Sequence, residues 1–157
     1  MSMLETVKRL LNVGKKQILL SVPAFFPSWH RRFGDETCFR ERLLDKQHPK
    51  IHAISLHAEF WQKMEEKYRT GKYQLLVCHM DDNPECRKYR PIMYANQLHV
   101  QRACFVSDDI FLVVEGKSIA METIARNEGL EMPDLLEWKK RLGTKEFCIV
   151  HFTAFSY

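Results

Sequence analysis

The stretch QLHVQRACFVSDDIFLVVEG, residues 97–116, decides the fold class. Two runs rich in valine, phenylalanine and other β-forming residues flank SDD, residues 107–109, whose serine and aspartates are typical of a turn. We therefore predict two strands joined by a turn. Three further apolar runs predict three more strands: KQILLSV (16–22), YQLLVCHM (73–80) and EFCIVHFTAF (146–155).

Helical patterns separate these strands at irregular intervals. The clearest is HAEFWQKMEEKYRTG, residues 57–71, in which four large apolar side chains form one stripe, namely Phe60, Trp61, Met64 and Tyr68. Further helices are predicted at SIAMETIARNEG (118–129) and PDLLEWKKRLG (133–143), and a helical turn or two at CFRERLLDKQ (38–47). Because helices and strands do not alternate regularly, we predict an α+β fold, a small mixed or antiparallel β-barrel with three to four flanking helices.

Length and composition predict one domain over residues 1–157, with residues 1–15 as a helical N-terminal extension. No apolar run is long enough for a membrane span or a signal peptide. Five cysteines, an odd number without framework spacing, are typical of a reducing compartment, so we expect a cytoplasmic protein. Cys78, His79 and Cys86 lack a second closely spaced pair, and we therefore predict no metal site and no cofactor.

Charge is distributed unevenly along the chain. Residues 1–50 carry ten Lys and Arg against five Asp and Glu, whereas residues 108–157 carry six against nine. A basic first half favours a surface that faces a polyanion. Lysines scattered over solvated faces would give the same totals, so this remains one of two interpretations.

Two stretches combine basic and aromatic side chains. PSWHRRFG, residues 27–34, contains Trp29, Arg31 and Arg32, and RKYRP, residues 87–91, contains Lys88, Tyr89 and Arg90. Aromatic faces beside guanidinium groups suit base stacking and phosphate contacts with single-stranded RNA. In the alternative interpretation, the aromatic residues close the end of the barrel while the arginines face water.

The stretch HPKIHAIS, residues 48–55, precedes the strongest helix pattern and has two interpretations. In the structural one, Lys50 is solvated and the Ser55 hydroxyl caps the start of the helix. In the functional one, Lys50 is a groove cation, His52 contacts a ligand, and Ser55 acts as a nucleophile with His52 or His57 as its base.

HPKIHAIS, the helix AEFWQKM (58–64) and the stretches IARNEGLEMPDLLEWKK (124–140) and IVHFTAFSY (149–157) together resemble the ASCH domains of the PUA-like superfamily. The likeness extends over residues 16–157 and is to small proteins from Bacteroidetes and their mobile elements. Such domains often carry a Lys-x-x-Thr-x-Arg motif before a helix. Lys50 matches its lysine, but Ala53 stands at the threonine position and Ser55 at the arginine position.

The resemblance implies a PUA-like barrel with a groove for RNA or a nucleoside. Some ASCH proteins are amidohydrolases that remove an acetyl group from acetylated cytidine with a lysine, a threonine and a glutamate. We expect, first, RNA or nucleotide binding by a groove lined by Trp29, Arg31, Arg32 and Lys50. The alternatives are a nucleoside amidohydrolase with Lys50, Ser55 and Glu115 as catalytic residues, and a protein-interaction module, for example a homodimer.

Overall fold

The computed structural model describes residues 14–81 and 88–157, which form eight strands and four helices. The strands are β1 (Lys16–Pro23), β2 (His52–Ser55), β3 (Tyr73–Asp81), β4 (Lys88–Ala95), β5 (His99–Phe105), β6 (Phe111–Val114), β7 (Lys117–Ala120) and β8 (Phe147–His151). The helices are α1 (Phe39–Leu44), α2 (Ala58–Arg69), α3 (Met121–Glu128) and α4 (Met132–Leu142).

The strands form two sheets. The first has the order β1-β3-β4, with β1 parallel to β3 and β4 antiparallel to β3. The parallel pair is possible because α1, β2 and α2 lie between β1 and β3 and supply the long crossover that parallel strands need. The second sheet has the order β2-β8-β5-β6-β7 and is antiparallel throughout.

Strand β8 explains how the core is divided. All five of its residues are buried, and alternate side chains join different apolar clusters. Cys148 and Val150 belong to a cluster shared with the first sheet and with Trp61 of α2. Phe147 and Ile149 belong to a second cluster, which contains Ile124 of α3 and Leu135 of α4. Because β8 is covered on both faces, nearly all its residues are apolar, which explains the continuous apolar run in the sequence.

The predicted α+β class is confirmed, and the described residues contain four helices, within the predicted three to four. The described residues form two separate sheets and no closed barrel. β1 lies at an edge of the first sheet, and β2 lies at an edge of the second. All five predicted strands are present. Residues 1–13 of the predicted helical extension lie outside the described residues. None of the helices in the described part of the chain is long and apolar enough to cross a membrane.

Three strands were not predicted, and each depends on pairing between segments. β2 was predicted as the approach to a helix but pairs with β8, and β4 pairs with β3. Ser118 was predicted to open a helix, but residues 117–120 pair with β6 and the helix begins at Met121. The reason is the tight turn at Glu115 and Gly116, both of which have positive φ, as two-residue hairpins require.

Phe60 departs from the predicted apolar stripe of α2. Trp61 is buried, and Met64 and Tyr68 pack against the same cluster, whereas half of the Phe60 surface is exposed. The helical period therefore identified the buried face of α2 correctly but wrongly assigned Phe60 to it.

Candidate functional site

Lys50 lies inside the protein with its ammonium group directed at Glu128. Its side chain is fully buried, and Nζ lies 3.0 Å from Glu128 Oε1 and donates a 2.7 Å hydrogen bond to the Glu128 carbonyl. The ammonium group also lies 4.3 Å from the centroid of the Phe39 ring. Burial lowers the pKa of Lys50, and the charge of Glu128 only partly opposes that effect.

Glu128, the last residue of α3, connects three groups around β2. Besides Lys50, its carboxylate accepts hydrogen bonds from His52 Nδ1, at 2.7 Å, and from the backbone N–H of Ile54, at 3.0 Å. Burial by itself raises the pKa of Glu128, but the Lys50 charge and the two hydrogen bonds outweigh it and lower the pKa below its ordinary value. Glu128 is therefore an ionised carboxylate inside the core.

His52 connects Glu128 to Tyr157. Its Nδ1 faces the carboxylate and carries the proton of the neutral ring, so Nε2 accepts the hydrogen bond of the Tyr157 hydroxyl at 2.7 Å. The Asn127 amide donates a second 2.7 Å bond to the same hydroxyl oxygen. Burial lowers the pKa of His52 and raises that of Tyr157 to about 12. The result is a carboxylate–imidazole–hydroxyl chain.

Gln101 fixes the backbone of Tyr157 and connects it to Glu115. Its carbonyl oxygen accepts from the Tyr157 N–H at 2.9 Å and from His151 Nε2 at 2.8 Å. Its amide nitrogen donates to the Tyr157 carbonyl at 3.0 Å and to Glu115 Oε2 at 3.2 Å. We call Lys50, His52, Gln101, Asn127, Glu128 and Tyr157 the polar network. Glu115, predicted as a catalytic acid, lies exposed at its edge.

Of the two histidines proposed as its base, His52 lies on the opposite face of β2 from Ser55, whereas His57 lines the same cavity as Ser55. Ser55 is the last residue of β2, and its hydroxyl accepts the backbone N–H of His57 at 3.2 Å. It does not cap α2, because His57 occupies the N-cap position and α2 has no side-chain capping bond. Ser55, Ala53 and His57 line a cavity of about 410 Å³. The His52 ring is instead bonded to Glu128 and Tyr157.

The two arginines of the first basic stretch surround a buried carboxylate. Asp134 of α4 lies 2.9 Å from Arg32 Nη1 and 3.7 Å from Arg31 Nη2. Arg32 also pairs with Asp35 at 3.3 Å. Arg31 remains mostly exposed and lines a cavity of about 490 Å³.

Trp29 is half-buried against α4 rather than presented to solvent. Its ring meets the Trp138 ring edge-on at 4.7 Å, and the Arg141 guanidinium lies 5.2 Å from its centroid. The Trp29 ring therefore packs on Trp138 of α4, and the described sheets form no barrel that it could close. These contacts also leave the guanidinium of Arg141 exposed next to an aromatic ring.

The second basic stretch lies elsewhere. Lys88, Tyr89 and Arg90 are exposed on β4, an edge strand of the first sheet. Arg90 lines a cavity of about 260 Å³ with Arg40 and His79, while Arg31 lines the 490 Å³ cavity. The two basic stretches therefore contribute to different cavities.

Of the predicted site residues, the structure brings Lys50 and His52 together on Glu128, and Arg31 and Arg32 together on Asp134. Glu115 reaches the polar network through Gln101. Four residues of the polar network were not predicted as site residues from the sequence: Gln101, Asn127, Glu128 and Tyr157. One signal was available, since Asn127 and Glu128 lie in IARNEG, inside the stretch that carries the family resemblance. Within residues 14–81 and 88–157, no group of three or more His, Cys, Asp or Glu side chains is arranged to hold a metal ion.

Comparisons with protein-family models, with curated proteins and with solved structures find no match to this chain. The ASCH resemblance, an RNA or nucleoside ligand and a homodimer therefore stay predictions.

Proposed function

We propose that this protein is a hydrolase that removes an acyl group from an acylated pyrimidine nucleoside. The observation that supports this proposal is the contact between Lys50 and Glu128, a lysine and a glutamate 78 positions apart in the chain. The family resemblance implies that a lysine and a glutamate act together in acetylcytidine cleavage. Lys50 matches the lysine of that motif, and Glu128 is the acid in contact with it.

The charge state of the pair supports the same proposal. Glu128 is ionised because Lys50 and two N–H groups compensate its burial. An ionised carboxylate fixed against a histidine ring is the arrangement that orients a general base in acyl transfer. Glu115 is exposed and contacts the network only through Gln101, so Glu128 is the better candidate for the acid.

The test is turnover of N4-acetylcytidine, followed by chromatography of the released cytidine. Glu128→Gln keeps the shape of the side chain but removes its charge, and we expect a rate at least about 100-fold lower. The matched control is Glu66→Gln, at an exposed position of α2. Absence of turnover in the unmodified protein, or equal turnover in Glu128→Gln, would overturn the proposal.

A second candidate function is binding of single-stranded RNA. It is favoured by the 490 Å³ cavity, which is lined by Arg31, Lys139 and Lys140 and has apolar walls formed by Pro133 and Leu136. Glu137 and Asp108 also line it, and Glu137 lies 3.4 Å from Lys140. The cations therefore exceed the carboxylates by one, and the exposed Arg141 lies close by on the same helix.

RNA binding is tested by titrating a fluorescent 12-nucleotide single-stranded RNA at several salt concentrations. For Arg31→Ala/Lys140→Ala we expect an affinity about 10-fold lower and a shallower salt dependence, since two phosphate contacts are lost. Lys46→Ala/Lys63→Ala, at two exposed positions, is the control. An affinity that does not change with salt would exclude phosphate contacts at this surface.

The barrel and the location of the protein are also proposals. We propose that the two sheets are an open relative of the PUA-like barrel, since one apolar cluster contains side chains from both sheets. A cytoplasmic location is supported by the free thiols of Cys38, Cys78, Cys104 and Cys148.

A further inference from the structure

The proposed hydrolase lacks the hydroxyl that the family resemblance places at position 53, where this chain has alanine. Resting on that proposed function, we infer that the Tyr157 hydroxyl takes this role and is activated by His52. Tyr157 would be the nucleophile and His52 its general base, while Glu128 and Lys50 position the base.

The hydrogen bonds support these roles. Glu128 Oε2 lies 2.7 Å from His52 Nδ1, and His52 Nε2 lies 2.7 Å from the Tyr157 hydroxyl oxygen. This is the order of groups found in acyl-transfer triads, in which a carboxylate orients an imidazole and the imidazole takes the proton of a hydroxyl. Ile54 donates its N–H to the other carboxylate oxygen, so the carboxylate cannot rotate without loss of a bond.

Tyr157 is the least buried residue of the carboxylate–imidazole–hydroxyl chain. Lys50, His52 and Glu128 are buried, whereas Tyr157 is partly exposed. We place the substrate on the exposed side of Tyr157, where it displaces neither the base nor the carboxylate. The Phe155 ring, itself exposed, lies edge-on to the Tyr157 ring at 4.9 Å and offers an apolar surface for a pyrimidine ring beside it.

The protonation states suit base-assisted attack. With its pKa raised to about 12, Tyr157 keeps its proton at neutral pH, so attack requires a base. Burial lowers the pKa of His52, which leaves its ring neutral and Nε2 able to accept that proton. The nearby charge of Glu128 then stabilises the imidazolium that forms.

The reaction balances with water as the only co-reactant. The Tyr157 oxygen bonds to the acyl carbon as its proton moves to His52 Nε2. The bond from the acyl carbon to the exocyclic nitrogen of the base breaks, and that nitrogen takes the proton from His52. Water, deprotonated by His52, then attacks the aryl ester, releasing acetate and restoring the phenol.

The test uses p-nitrophenyl acetate, whose acyl group transfers readily, together with peptide mass spectrometry after a short reaction. We expect acetylation of Tyr157 with a burst of p-nitrophenol. Tyr157→Phe removes only the hydroxyl and should abolish both signals, and His52→Gln should slow the burst at least about 100-fold. Tyr94→Phe, which removes an exposed phenol outside the polar network, is the control.

The outcomes separate this inference from the proposed function. Acetylation of Tyr157 without cleavage of N4-acetylcytidine would support the nucleophile and reject the nucleoside substrate. Cleavage of N4-acetylcytidine at equal rates by the unmodified protein and Tyr157→Phe would support the hydrolase and reject Tyr157. A burst that Tyr157→Phe retains, or no burst from the folded protein, would reject Tyr157 as well. Circular dichroism of each variant establishes that it is folded.

Discussion

The Tyr157 hydroxyl lies 2.7 Å from His52 Nε2, although 105 positions separate the two residues in the chain. Strand β8 makes this possible because it pairs with β2 on one side and β5 on the other. Gln101 of β5 then binds the backbone of Tyr157 on both its N–H and its carbonyl. The C-terminal segment is thereby held over the buried end of β2.

Replacement of Lys50 should destabilise the protein. Lys50→Met leaves the Glu128 carboxylate buried without its cation, and we expect the free energy of unfolding to fall by about 3–5 kcal/mol. Urea unfolding monitored by circular dichroism measures the change. Lys46→Met, at an exposed position, is the control. A loss below about 1 kcal/mol would mean that the buried pair does not stabilise the fold.

The two candidate glutamates should differ in their effect on turnover. Glu115→Gln removes an exposed charge whose contact with the network is a 3.2 Å bond from Gln101. We expect less than about a threefold change in acetylcytidine turnover, against about 100-fold for Glu128→Gln. A larger effect of Glu115→Gln would restore Glu115 as the catalytic acid.

Acid should destabilise the protein through His151. The pKa of His151 is lowered from 6.5 to about 3, mainly by burial and further by His52 and His99. Glu128 opposes these effects only in part. Between pH 6.5 and 3 the unfolded chain binds a proton that the folded protein does not, so stability falls as the pH is lowered, by at most about 1.4 kcal/mol per unit.

His151→Gln isolates this contribution because glutamine keeps an N–H donor for Gln101. Relative to the unmodified protein, the variant should be about 1 kcal/mol less stable near pH 7, equally stable near about pH 6 and roughly 2 kcal/mol more stable at pH 4. Urea titrations at each pH measure the difference, and His48→Gln, at an exposed histidine, is the control. A difference that stays constant with pH would contradict this assignment.

The cysteines should differ in their reactivity. Burial raises the pKa of Cys148 to about 11 and also raises that of Cys78, whereas Cys38 is exposed. Since the thiolate is the reactive form, iodoacetamide at pH 8 should modify Cys38 at least about 10-fold faster than Cys148 in the folded protein. Peptide mapping measures each site, and equal rates after addition of urea provide the control. Equal rates without urea would contradict the burial of Cys148.

The second basic stretch should contribute separately to RNA binding. Lys88→Ala/Arg90→Ala removes two exposed cations of β4, and Arg90 lines a different cavity from Arg31. We expect a smaller loss of affinity than with Arg31→Ala/Lys140→Ala, measured in the same titration. An equal or larger loss would move the binding surface to β4.

Local pattern predicted much of the secondary structure. The strands around SDD are recognisable because alternate or continuous apolar residues report burial directly. Helix α4 is recognisable from Pro133 in its first turn and Gly143 after its end, both of which are local backbone constraints. The fold class followed from the order of these elements.

What the sequence by itself determined is therefore five of the eight strands, the helices of the described residues with most of their buried faces, and the basic character of the first half. The tertiary structure decided which polar residues meet. HAIS became a strand, not the start of a helix, because β8 offers it a partner, and Lys50 became buried because Glu128 compensates its charge. Such contacts join residues far apart in the chain, and they depend on sheet order and burial, which no local period encodes.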